Sequence, residues 1–303
     1  MTEPRLNYVP CVGAGKQAGI RRMAYWEWNA TGDAGHPHIV VCVHGLSRQG
    51  RDFDTLARSL STRARVICPD VAGRGQSDWL QDPLDYQIPF YVADMLALLA
   101  QLQQQGGIRS LDWIGTSMGG LIGLALCGQP GLPLPVPVRR LLLNDVGPVI
   151  QWQALQRIGQ YLGQPVRFAS LQQAADMLWT ISTGFGPHTP AQWLELTRHM
   201  VRPLPDGGFG LHYDPAIALP FRALTPEAAT QSEAVLWQLY DHIAAQTLLV
   251  RGAQSDLLSA ATAQAMAQRG PHARLVELQK VGHAPTFVAD DQVALVDSFI
   301  FDA

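Results

Sequence analysis

Leu111-Asp112-Trp113-Ile114-Gly115-Thr116-Ser117-Met118-Gly119 reads as an apolar strand turning sharply into a helix, which continues through the small-residue stretch from Gly120 to Cys127. A Gly-x-Ser-x-Gly segment between strand and helix forms an elbow that strains the serine backbone and lifts its hydroxyl clear of the sheet. The glycines two residues before and after Ser117 remove side-chain carbons that would crowd that turn. Ser117 is therefore the candidate nucleophile.

A serine hydroxyl at its free pKa attacks poorly. A histidine must take its proton, and a carboxylate must orient that histidine and stabilise it when charged. Both groups occur downstream. Asp256 follows the apolar strand Thr247-Leu248-Leu249-Val250-Arg251 through the turn Gly252-Ala253-Gln254-Ser255, and His283 follows the run from Leu275 to Val281. Each candidate sits just past the carboxyl end of a strand, and an open parallel sheet gathers those ends along one edge. Asp145, after Arg140-Leu141-Leu142-Leu143-Asn144, is the alternative acid. The Asp256 turn is favoured, because Asp145-Val146-Gly147-Pro148 reads as a structural lead into the next segment.

Upstream, His38 to Val43 is an almost unbroken apolar run, as expected for a strand covered on both faces, and it ends in His44-Gly45-Leu46-Ser47. Acyl transfer builds negative charge on a carbonyl oxygen, so two fixed backbone N–H groups are needed there. Met118, next after the nucleophile, and Leu46, on this loop, are the candidate oxyanion donors. His44 is read as a support for the loop. Arg48, Arg51 and Asp52 would fix it, with Phe53 reaching toward the pocket.

These stretches, together with Asp70-Val71-Ala72-Gly73-Arg74-Gly75-Gln76-Ser77 and Gly282-His283-Ala284-Pro285, occur in one order along nearly the whole chain and resemble the α/β-hydrolase superfamily. The resemblance implies an esterase-type enzyme with a cap, in which Ser117, Asp256 and His283 act in the family's chain order. Serine at the elbow disfavours epoxide opening and halide displacement, which use an aspartate there. The expected activity is hydrolysis of a small to medium, partly hydrophobic carboxylic ester or lactone through an acyl-enzyme. A carbon–carbon hydrolase of ring-cleavage dienol diketo acids is the alternative, and a ligand receptor or a hydroxynitrile lyase on the same fold stands behind it.

The expected fold class is α/β: a mostly parallel, doubly wound sheet of about eight strands with an inserted helical cap. Strands are placed near residues 22–28, 38–43, 65–69, 109–114, 139–144, 247–251 and 274–279, with an antiparallel edge strand around 5–12. Residues 1–147 and 237–303 form the core domain. Residues 148–236 form the cap, with amphipathic helices near 151–162, 170–182 and 190–201. Of its aromatics, Trp152, Trp179, Trp193, Phe185, Phe209 and Phe221, with Trp237 near its end, most are expected to pack and some to line an apolar pocket.

The chain has 303 residues, enough for one large domain with an insertion, and a net charge of −3 without basic runs. A small-molecule substrate is expected, with no nucleic-acid partner, no membrane span, no cofactor and a cytoplasmic location; the oligomeric state, a homodimer included, stays open. Four scattered cysteines read as reduced core residues. His36 and His38 lack a third metal ligand nearby, so no metal is expected. Gly73-Arg74-Gly75 lacks the spacing and Lys-Ser/Thr of a phosphate loop and reads as a structural turn.

Overall fold

In a computed structural model, which describes residues 3–13 and 19–302, the chain forms eleven strands and ten α-helices among those residues. The few other positions inside the expected core boundaries lie outside the described residues. The first part of the chain gives β1 (Arg5–Gly13), β2 (Gly19–Trp28), β3 (His38–Val43), α1 (Asp54–Leu60), β4 (Arg65–Pro69) and α2 (Ile88–Gly106). The elbow follows as β5 (Ser110–Thr116) and α3 (Met118–Gly128), and then β6 (Val138–Asn144).

After β6 the chain leaves the sheet. It forms α4 (Trp152–Tyr161), β7 (Arg167–Phe168), α5 (Leu171–Ser182), α6 (Pro190–Met200), β8 (Val201–Pro203), β9 (Phe209–Leu211), α7 (Ala218–Arg222) and α8 (Pro226–Asp241). It returns through β10 (Gln246–Gly252), α9 (Ala260–Gln268), β11 (Arg274–Leu278) and α10 (Asp290–Phe301).

The main sheet has eight strands in the order β1-β2-β4-β3-β5-β6-β10-β11. The six from β4 to β11 run parallel, while β1 and β2 pair antiparallel at one edge. The edge strand expected around 5–12 is therefore present. Alternation within single strands shows both faces covered: Ile39, Val41 and Val43 join one apolar cluster, and Val40 and Cys42 join the other. Helices α2 and α3 bury their apolar faces in the first cluster, and α1 and α10 in the second. Phe53 is buried in this second cluster against the sheet, so the expectation that it reaches toward the pocket is corrected. Among the described residues no helix is long and apolar enough to cross a membrane, and the four cysteines are unpaired, three of them buried.

The segment between β6 and β10 has a core of its own. Phe168, Ala174, Ala175, Leu178, Trp193, Leu196 and Val201 pack together, and Trp193 donates its indole N–H to the Ala175 carbonyl at 2.8 Å. Capping by Ser170 starts α5 one residue after the expected 170, and capping by Thr189 starts α6 at the expected 190. Two features were not legible. A small antiparallel sheet, β7-β9-β8, lies among the helices. And α8, which the 236/237 boundary would cut, is one helix whose Leu236, Trp237, Leu239 and Tyr240 pack on the core cluster.

Candidate active site

Ser117 sits between β5 and α3 with φ 52° and ψ −115°, a region that L side chains rarely occupy. The flanking glycines make it feasible. A Cβ on Gly115 would collide with the Gly119 carbonyl, and one on Gly119 would collide with the Val43 carbonyl. The Ser117 N–H is tied across the sheet to the Asn144 carbonyl at 3.0 Å. Asn144 in turn donates its side-chain amide to Thr116 Oγ1 and to the Pro285 carbonyl, linking the elbow to the histidine loop.

His283 lies past the end of β11, with its Nε2 3.0 Å from Ser117 Oγ. Its Nδ1 is 2.7 Å from Asp145 Oδ2. A carboxylate only accepts, so Nδ1 carries the proton and donates to Asp145. Nε2 is then left as the acceptor for the serine O–H. The imidazole is thus in the tautomer that a general base requires.

The acid at the imidazole is Asp145, not Asp256, which corrects the assignment favoured from sequence. Asp145 directly follows β6, the strand beside β5, and its φ of 55° turns its carboxylate toward the histidine loop. It is fully buried. Besides the imidazole, it accepts from the Gly252 N–H at 2.9 Å and from the Ser255 hydroxyl at 2.6 Å. Asp256 is one residue beyond Ser255 and faces the other way. Its half-exposed carboxylate takes a two-pronged ion pair from Arg157 of α4, at 2.8 and 3.0 Å. The turn after β10 therefore delivers Ser255 to the site rather than Asp256. Sequence reading missed Ser255, and its only signal was its place next to the favoured aspartate.

The Leu46 loop runs alongside. A Cβ on Gly45 would stand 3.7 Å from Ser117 Cβ, so the loop passes directly over the elbow. Its path is fixed from both sides. His44, fully buried, donates from Nδ1 to the Gly45 carbonyl at 2.7 Å and accepts the Val71 N–H on Nε2 at 3.0 Å. Burial pushes its pKa down to about 3, so the ring stays neutral and keeps both bonds. Arg74, buried in the turn read as structural, donates from Nε to the Leu46 carbonyl at 2.8 Å and reaches Met118 Sδ with Nη2. Asp70, in the same turn, accepts the Gly50 and Gln76 N–H groups at 2.7 and 2.8 Å. Burial raises its pKa to about 6. The Met118 N–H lies at the first turn of α3, where helix geometry leaves it without an intrahelical acceptor.

Of the other candidates, His38 pairs with Asp112 at 2.7 Å, and no group of metal-holding side chains occurs among the described residues. Most cap aromatics pack: Trp193 is buried, Trp179 and Phe185 lie against it edge-on or tilted, and Trp237 stacks edge-on against Tyr240. Phe185 is also drawn toward the site. It ends the 3₁₀ turn Thr183–Phe185, whose Gly184 carbonyl accepts the Gly282 N–H at 2.6 Å beside His283.

Comparison with known proteins agrees with this fold. The model of the alpha/beta hydrolase family matches residues 40–296. The chain is 50% identical to a 3-hydroxybutyrate-oligomer hydrolase of Cupriavidus necator, over 99% of each protein. It is 25% identical to a pimeloyl-[acyl-carrier protein] methyl ester esterase of Xanthomonas campestris, over 86% of this chain and 93% of that one. A solved alpha/beta hydrolase of Novosphingobium aromaticivorans superposes with a TM-score of 0.82 at 35% identity, covering 99% of both chains.

Proposed function

This chain belongs to the α/β hydrolase family, and on that premise we propose that it is a serine hydrolase that cleaves esters of short hydroxy acids, 3-hydroxybutyrate oligomers foremost, through an acyl-enzyme. The observation that carries the reading is the unbroken relay from Ser117 Oγ through His283 to the buried Asp145 carboxylate. The identity to the oligomer hydrolase along the full length of both chains supports the choice of substrate.

His283 Nε2 takes the Ser117 proton as Oγ attacks the ester carbonyl, and the Met118 and Leu46 N–H groups receive the charge on its oxygen. His283 returns that proton to the departing alkoxide, which leaves as the free hydroxy acid. Water then attacks the acyl-serine, giving its proton to His283; collapse releases the second acid, and the proton returns to Ser117. Asp145 stays ionised throughout and holds the imidazolium. The segment 148–236 serves as the cap over this site, and the enzyme works on a soluble small molecule in the cytoplasm.

Purified protein incubated with 3-hydroxybutyrate dimer and trimer should release monomer. A fluorophosphonate should label wild type and not Ser117→Ala. Labelling without repeated turnover of any ester would defeat the reading in favour of a binding protein on the same fold.

A further inference from the structure

Deepening that proposed function and resting on it, we propose that Arg48 is the carboxylate-recognition residue of the site, seizing the free acid end of the substrate on its leaving-alcohol side. Arg48 follows Leu46 by two residues on the loop over the elbow. Its Cγ and Ser117 Cβ each lie 3.7 Å from the point where a Cβ on Gly45 would stand, so they are no more than two such spans apart.

The guanidinium is enclosed rather than solvated, its side chain 10% exposed. One edge is fixed. Nε and Nη2 both donate to the Asp52 carboxylate, the latter at 2.9 Å, and this sets the plane of the fork. The remaining edge faces the insertion, where among the described residues Nη1 meets only the Met200 thioether and the Phe185 ring stands 5.4 Å from Cζ. Sulfur is a weak acceptor and a ring face a diffuse one, so this edge presents N–H donors that a carboxylate would satisfy better. Phe185 adjoins Gly184, whose carbonyl accepts the Gly282 N–H at 2.6 Å, so this edge lies beside the part of the insertion that touches the loop carrying His283.

The substrate supplies the complementary charge. In a 3-hydroxybutyrate oligomer only the last unit bears a carboxylate, four bonds from the carbonyl carbon of the terminal ester. With that ester on Ser117, the carboxylate extends toward Arg48, and the bond cleaved is the one nearest the acid end. The enzyme would then shorten the chain one unit at a time from its carboxyl terminus.

The experiment measures kcat/KM for the 3-hydroxybutyrate dimer as the free acid and as its methyl ester, in wild type, Arg48→Gln and Arg48→Lys. The ratio of the two substrates within one protein cancels any general loss of activity or folded fraction. Wild type should favour the free acid by about tenfold or more, chiefly through KM, as expected for one charge-assisted pair. Arg48→Gln should bring the ratio near one, and Arg48→Lys should keep part of it. If Arg48→Gln does not fold, product inhibition of wild type decides: free 3-hydroxybutyrate should compete and its methyl ester should not.

Equal rates on both dimers in wild type, or a preference that survives in Arg48→Gln, would overturn the subsite and leave the hydrolase reading standing. Turnover of a neutral aryl ester with neither dimer cleaved would overturn the oligomer reading and the subsite together.

Discussion

The ends of β6 and β10 are neighbours in one parallel sheet, and each is followed by an aspartate, yet the two carboxylates have opposite surroundings. Asp145 comes one residue after its strand, is fully buried and accepts from an imidazole, a hydroxyl and a backbone N–H. Asp256 comes four residues after its strand, is half exposed and is held by one arginine. Both fit a sequence pattern of strand, turn and carboxylate. What separates them is the number of residues between strand end and carboxylate: a short exit with a left-handed backbone turns the side chain back over the sheet edge, and a longer turn carries it outward.

The comparison can be broken most sharply along the relay in which the buried aspartate ends. Ser117→Ala should lower kcat on an aryl ester by about a millionfold, the scale of losing a serine nucleophile. Its melting temperature should stay within about 4 °C of wild type. Asp145→Asn should lower kcat by about 10³- to 10⁴-fold, because an amide no longer secures the right tautomer or the imidazolium. A drop of that size in Asp256→Asn, with Asp145→Asn active, would return the acid to β10.

A smaller effect tests whether burial governs a third strand end. His44, past β3, has its pKa lowered to about 3, so between that value and about 6.5 the unfolded chain binds a proton that the folded chain refuses. Its contribution is complete above about 6.5 and is lost as pH falls toward 3. Urea midpoints from pH 7 to 4 should therefore decline, and His44→Gln should flatten the decline while lowering stability at pH 7. Ser255→Ala, which removes the hydroxyl on Asp145, should cost about tenfold in kcat at unchanged KM. Least of all, Asp256→Asn and Arg157→Ala should each change activity by less than about threefold and stability by about 0.5 kcal/mol or less, since that pair is open to solvent.

Much of this arrangement was written in local pattern. β3 and β4 begin and end where the apolar runs do, because a strand covered on both faces must be apolar throughout. Ser117 and His283 were legible because each is bracketed by glycines or strand ends that demand them. The acid was not. Choosing between Asp145 and Asp256 needs the relative placement of strands far apart in the chain, which β6 and β10 acquire only by pairing side by side across an insertion of about a hundred residues. The small sheet β7-β9-β8 was hidden for a related reason: strands of two and three residues carry no period to detect.

The hydrogen bond from the Gly282 N–H to the Gly184 carbonyl joins the insertion to the loop that carries the base. Any displacement of the 183–185 turn from that loop releases the residue before His283, so the position of the turn and the seating of the imidazole are coupled. A substitution that weakens this one bond would therefore loosen the backbone on which the imidazole sits without touching the imidazole itself.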